Sequence, residues 1–185
     1  MSYGLPYDSD EGRALAGAIT AIMTGHAYEQ SAELAAQMDA FPGYRDARCS
    51  GVAKPARKDN VDSMLGVIKL HRQAVEEIHP SAEFGYLKEE ARRCWDRALA
   101  RGKQVGYRNA QVTVLAPTGT IAFLMDCDTT GVEPDIAIVK YKRLVGGGLL
   151  KIVNHTVPEA LSKLGYTDKQ VEAIIAHVDA NDTIE

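Results

Sequence analysis

The chain has 185 residues, an apolar share of 45% and a formal net charge of -4. That length suits one domain, and that apolar share suits a chain that buries a core. The acidic balance excludes capture of a nucleic-acid backbone or an anionic membrane surface by a basic face, and no apolar run is long enough to cross a bilayer.

Residues Met1 to Asp10 lack the basic and apolar regions of a secretory signal, so the cytoplasm is the expected location. Cys49, Cys94 and Cys127 are widely spaced and form no CxxC pair. Reduced thiols are therefore expected, with neither a disulfide framework nor a cysteine-based zinc site.

In chain order, Asp8-Ser9-Asp10-Glu11 supplies capping side chains ahead of Leu15, Ile19, Ile22 and Met23, which share a helical face. Gly25 reads as the stop of this first helix. A second helix is expected from Ala27 to Ala40, closing at Phe41-Pro42-Gly43-Tyr44, so that the two form a helical hairpin. The stretch from Tyr44 to Asn60 is polar, basic and aperiodic, and reads as a surface connection. Helical spacing returns from Asp59 to Ile78 at Val61, Met64, Leu65, Ile68, Val75 and Ile78, with His79-Pro80 beyond it. A further helix from Phe84 to Ala100 aligns Leu87, Ala91, Cys94, Trp95 and Ala98 toward a core, leaves Arg92, Arg93, Asp96 and Arg97 wetter, and ends at Gly102.

Ala110 to Ala116 clusters β-branched residues and is expected to be a buried strand. After a loop, Ile121 to Met125 reads as a short helix, Ile136 to Tyr141 as an apolar element, and Leu149 to Val153 as a strand. Gly146 to Gly148 is read as a tight turn, because neither a GxGxxG pattern nor a P-loop lysine follows it. Thr167 to Val178 is an amphipathic helix carrying Val171, Ile174, Ile175 and Val178.

The strongest chemical signal is Ala116-Pro117-Thr118-Gly119-Thr120-Ile121-Ala122, between the expected strand and the expected short helix. The first amide groups of a helix lack intrahelical partners, and a phosphate placed there satisfies several together. Pro117 fixes its φ and surrenders a donor that would be orphaned anyway, Gly119 allows close approach to the backbone, and Thr118 and Thr120 bring hydroxyls. On residue types alone, a cap that binds nothing is the commoner use of such a corner.

Asp126-Cys127-Asp128-Thr129-Thr130-Gly131-Val132-Glu133-Pro134-Asp135 gathers acids and a thiol but no histidine, and reads as a polar turn without a metal. The five histidines, His26, His71, His79, His155 and His177, show no i, i+4 pair, and none is assigned a catalytic role.

The order of these segments resembles the adenosylcobalamin-dependent (class II) ribonucleotide reductases. The resemblance rests on Ala116 to Ala122, Asp126-Cys127-Asp128-Thr129-Thr130-Gly131 and Glu133-Pro134-Asp135. It extends upstream to Gly4-Leu5-Pro6-Tyr7-Asp8-Ser9-Asp10-Glu11-Gly12-Arg13, and downstream to Lys151-Ile152-Val153-Asn154 and Pro158-Glu159-Ala160-Leu161. Residues Arg45 to Lys58 are the least family-like part.

The resemblance implies an α/β fold, with this chain a helix-rich late portion of an incomplete ten-stranded α/β barrel. It implies one segment of the catalytic domain: helical over 1–102, phosphate-loop region over 110–154, and terminal helical part over 155–185. Ala116, Pro117, Thr118, Gly119, Thr120 and Ile121 would bind the phosphates of a ribonucleoside diphosphate. In the family, adenosylcobalamin generates a cysteine thiyl radical, and a cysteine pair recharged by a thioredoxin-type reductant supplies electrons. The family's Asn-x-Cys-x-Glu signature and its CxxC tail have no match here, so no catalytic residue and no metal ligand is assigned, and the chain alone is expected to be inactive. The implied partners are the rest of the reductase chain and, for the intact enzyme, a second copy in a homodimer. Two other readings stay open: an autonomous helical protein-interaction module, and another phosphate-binding enzyme such as a kinase or synthase.

Overall fold

The computed structural model describes residues 3–44, 60–81, 83–135 and 137–183. The chain forms two compact units, Asp10–Val114 and the combination of Met1–Ser9 with Leu115–Glu185. The basic stretch from Arg45 to Lys58 lies outside the described residues.

The first unit is helical. α1 spans Asp10–Met38 and carries Asp10 and Glu11 in its first turn, where acids complement the exposed amides. The hairpin expected around Gly25 is absent, because α1 runs through that position without a break. A helical glycine costs about 1 kcal/mol against alanine, but packing overrides propensity here. A Cβ on Gly25 would stand 3.1 Å from Cys94 Cβ and 3.1 Å from the Trp95 ring.

α2 spans Asn60–Ala74 and tightens into a 3-10 turn, Val75–Glu77. α3 spans Gly85–Val105, continuing past the expected stop at Gly102. Gly102 is instead the seat of the fully buried Tyr107, whose ring would lie 2.1 Å from a Cβ there. Gly106, at φ 83, makes the actual ending, and its N–H donates to Gly102 O at 2.9 Å.

These helices enclose a core of Tyr28, Ala32, Met64, Ile68, Val75, Trp95, Ala98 and Tyr107. Tyr28 meets Trp95 at 5.8 Å in a tilted pair and Tyr107 at 5.8 Å edge-on, while His71 stacks flat on Trp95 at 5.0 Å. Each large apolar side chain so buried contributes roughly 1.5–3 kcal/mol relative to exposure. Arg92 and Arg93 stay on the wet side of α3, and Arg92 pairs with Glu76, which Arg72 also reaches at 2.7 Å.

The buried strand expected at Ala110 to Ala116 does not form. The segment is in no strand, with Val114 75% and Leu115 80% exposed. Side chains hold its first half in place of a ladder: Tyr28 Oη donates to Ala110 O at 3.3 Å, and the Thr24 and Thr113 hydroxyls share a hydrogen bond at 3.1 Å. β-Branched composition favours a strand only where a neighbouring strand exists.

The second unit begins with α4, Gly119–Leu124, close to the expected short helix. β1, Val139–Arg143, and β2, Leu149–Val153, pair antiparallel with Tyr141 opposite Lys151. β2 falls where the sequence placed it; of the expected apolar element, Val139 to Tyr141 are in β1 and Ile136 is outside the described residues. The turn between the strands uses Gly146 at φ 112 and Gly147 at φ 94, the role expected of the triple glycine, and Leu144 N–H closes it on Gly148 O at 2.7 Å.

α5, Val157–Lys163, has Pro158 in its first turn, and α6 spans Asp168–Asn181. Gln170 Oε1 caps α6 by accepting Thr167 N–H at 2.9 Å and the Thr167 hydroxyl at 2.8 Å. The described residues are thus helix-rich with one two-stranded sheet.

Candidate functional site

The proline-threonine-glycine corner lies in the second unit. Ala116, Pro117, Gly119, Thr120 and Ile121 are exposed and Thr118 is half-buried. Thr118 adopts the left-handed conformation, φ 32 and ψ 30, which is uncommon for a β-branched residue. Two hydrogen bonds hold it there: its hydroxyl donates to Thr130 O, and its carbonyl accepts Ala122 N–H at 2.8 Å. The hydroxyl that residue type suggested for an outside ligand is therefore committed to the neighbouring turn.

The intrahelical bonding of α4 starts at Ala122, so the amides of Gly119, Thr120 and Ile121 are the orphan donors of a first turn. Among the described residues no acceptor takes them. Ile121 is 61% exposed, so its own side chain does not bury the corner. A Cβ built on Gly119 meets nothing within 4 Å, and its φ lies outside the left-handed region. The fold itself makes no demand for glycine at that position.

Asp126 to Asp135 form the succession of turns that the sequence suggested. Ala122 O accepts Cys127 N–H at 2.9 Å, Asp128 Oδ1 accepts His155 N–H at 2.7 Å, and Lys140 Nζ reaches Asp128 O at 2.7 Å and Asp135 Oδ1 at 2.6 Å. The fully buried Asn154 donates to Asp135 Oδ2 at 2.9 Å and accepts from the Thr156 hydroxyl at 2.6 Å. Both oxygens of Asp135 are thereby occupied by protein donors, which suits a structural buried carboxylate. Sequence reading missed this Asp135, Lys140 and Asn154 network; only the nearness of Glu133-Pro134-Asp135 to the loop hinted at it.

Two recesses flank these turns. One, about 510 Å³, is bordered by Tyr7, Thr129, Glu133, Asp135 and Asn154. The other, about 240 Å³, is bordered by Phe123, Cys127, Lys142 and His155, with Lys142 Nζ 3.7 Å above the Phe123 ring. They reach at most the range of drug-sized ligands, and a corrinoid with its nucleotide tail is larger than either. Neither recess by itself fits that group. Cys127 is exposed and Cys94 buried, and both are free thiols.

No helix among the described residues is long and apolar enough to cross a membrane.

The family model for the ribonucleotide reductase barrel domain matches residues 1–185. The chain is similar to the vitamin B12-dependent ribonucleotide reductase of Rhodopirellula baltica, 51% identical over 185 residues that make up 100% of this chain and 16% of that protein. The protein of the same name from Agrobacterium fabrum is 48% identical over 192 residues, covering 96% of this chain and 14% of its own length. That of Streptantibioticus cattleyicolor is 48% identical over 178 residues, covering 96% of this chain and 28% of its own. The chain thus spans between about a seventh and a quarter of the length of these relatives. With its whole length matched, the chain belongs to the ribonucleotide reductase barrel-domain family.

Proposed function

We propose that this chain is part of a B12-dependent ribonucleoside-diphosphate reductase and supplies its substrate phosphate-binding loop, Ala116, Pro117, Thr118, Gly119, Thr120 and Ile121. The observation that carries the reading is the pairing of three unclaimed amides with a glycine that the surrounding protein does not require. An anion held against the backbone explains both: its oxygens take the amide hydrogens, and only a residue without Cβ leaves them room. Thr118 contributes by shaping the corner, because its hydroxyl is engaged with Thr130 O.

In the intact enzyme, adenosylcobalamin, the cysteines of the radical and reducing steps, and a thioredoxin-type reductant complete the reaction, and the segment takes its place in a ten-stranded barrel. This chain alone does not turn over substrate. Its task is to hold the diphosphate so that the ribose presents a fixed face to the reacting groups. A corner open to solvent and tethered at one end by Thr118 is suited to that task.

The test is the affinity of the intact reductase for a ribonucleoside diphosphate with Gly119→Val. A Cβ there meets nothing within 4 Å in the fold, whereas a bound phosphate would be displaced by the branched side chain. Each charged hydrogen bond lost costs about 1.5–3 kcal/mol, so affinity falls by roughly tenfold or more. Unchanged affinity would remove the assignment.

A further inference from the structure

α1 and α3 bring four side chains with donor atoms to one point of the helical unit. α1 offers His26 and Glu29, three residues apart, and α3 offers Glu90 and Cys94, four apart, so each pair shares a face of its helix. Single ligand atoms of His26, Glu29 and Cys94 all lie within 4.8 Å of one another, and Glu90 Oε1 is 3.6 Å from Cys94 Sγ. Gly25 keeps the helices close beside this point, with its hypothetical Cβ 3.1 Å from Cys94 Cβ.

The cluster already surrounds a positive group. Arg97 directs Nε to Glu29 Oε1 at 2.8 Å and one terminal nitrogen to Glu90 Oε1 at 3.3 Å and Cys94 Sγ at 3.4 Å. A guanidinium that gathers two carboxylates and a sulfur from two helices marks a cup with cation selectivity. The His26 imidazole meets Glu29 Oε2 at 3.0 Å beside it, so a sulfur, an imidazole and two carboxylates gather at one point. Cys94 is 2% exposed, whereas the side chains of His26 and Arg97 are 67% and 45% exposed, so the guanidinium borders solvent.

We propose that His26, Glu29, Glu90 and Cys94 form a site for a borderline-soft divalent cation of the zinc class, which exchanges with the Arg97 guanidinium. A sulfur, an imidazole nitrogen and carboxylate oxygens are the donor set such ions prefer, whereas calcium and magnesium require oxygen throughout. Tetrahedral zinc, with bonds of about 2.0–2.3 Å, sets neighbouring ligand atoms somewhat under 4 Å apart. The cluster therefore contracts by about an ångström on loading, a change that the rim residues His26 and Glu29 make by rotation about their side-chain bonds. On loading, the Cys94 sulfur bonds to the metal and its proton leaves to solvent.

The experiment titrates cobalt(II), then zinc in competition, into the full chain carrying Cys49→Ser and Cys127→Ser, so that Cys94 is the only thiol. Binding of one equivalent with a thiolate-to-cobalt charge-transfer band is expected. His26→Ala weakens it by about tenfold or more, Cys94→Ser removes the band, and Arg97→Ala tightens binding by releasing the competitor. Absence of the band in both the parent and Arg97→Ala overturns the proposal, as does uptake that survives Cys94→Ser unchanged. Should Cys94→Ser lose helical content, the band in the parent and its response to His26→Ala decide the matter.

Discussion

The two units of this chain are held together in different ways. The helical unit buries Tyr28, Ile68, Trp95 and Tyr107 in one cluster. The unit that carries the proposed phosphate loop buries chiefly Ala122, Val157, Val171 and Val178, and exposes Leu124, Met125, Val145 and Leu149. Stability in the first comes from interlocked aromatic rings. In the second, much of the order comes from polar links, such as Lys140 with Asp135 and Asn154, and Thr118 with Thr130. Exposed apolar surface of this kind belongs to protein that packs against more protein, which agrees with a chain covering only a fraction of its relatives' length.

The contrast is broken most forcefully at Trp95. Trp95→Ala is expected to cost about 3–5 kcal/mol in urea unfolding followed by far-ultraviolet circular dichroism. The equivalent truncation Leu149→Ala, at a side chain 70% exposed, changes it by less than about 0.5 kcal/mol. Equal costs at the two positions would show that the division is wrong.

A smaller effect is expected at the α6 cap. Thr167→Ala removes the hydroxyl bonded to Gln170 and lowers stability by about 1 kcal/mol, read in the same unfolding experiment. No change in midpoint would mean that the second unit does not depend on this cap.

The smallest concerns acid. Hydrogen bonds from Arg92 and then Arg72 hold the Glu76 carboxyl down at about 2, against an ordinary 4.5. A depressed carboxylate stabilises the fold fully above its unfolded value and loses that contribution as pH falls through the folded one. Melting temperature should therefore decline between pH 4.5 and 2, less steeply in Glu76→Gln. An identical slope in that variant would rule Glu76 out as a source.

What was legible in the sequence follows from the range of the forces involved. α2, α3 and α6 are amphipathic, and their faces appear in residue spacing. The continuity of α1 was hidden, because Gly25 is retained for its fit to Trp95, 70 positions away in the chain. The missing strand at Ala110 to Ala116 was hidden for the complementary reason: β-branched residues state a preference but not the presence of a neighbour. The position of the Pro117-Thr118-Gly119 corner ahead of a short helix was readable in the sequence, whereas the partner of the Thr118 hydroxyl was not. His26, Glu29, Glu90 and Cys94 carry no local signature, since their meeting depends on how α1 packs against α3.

In the proposed phosphate loop, the amides of Gly119 to Ile121 clasp the substrate's diphosphate. Hydrogen–deuterium exchange of the intact reductase, with and without a ribonucleoside diphosphate, reads those amides directly. Exposed and unbonded when free, they should exchange markedly more slowly with nucleotide present, and the slowing should vanish when a nucleoside lacking phosphates is used. Protection confined to other segments while residues 117–123 keep exchanging at their free rate would contradict it.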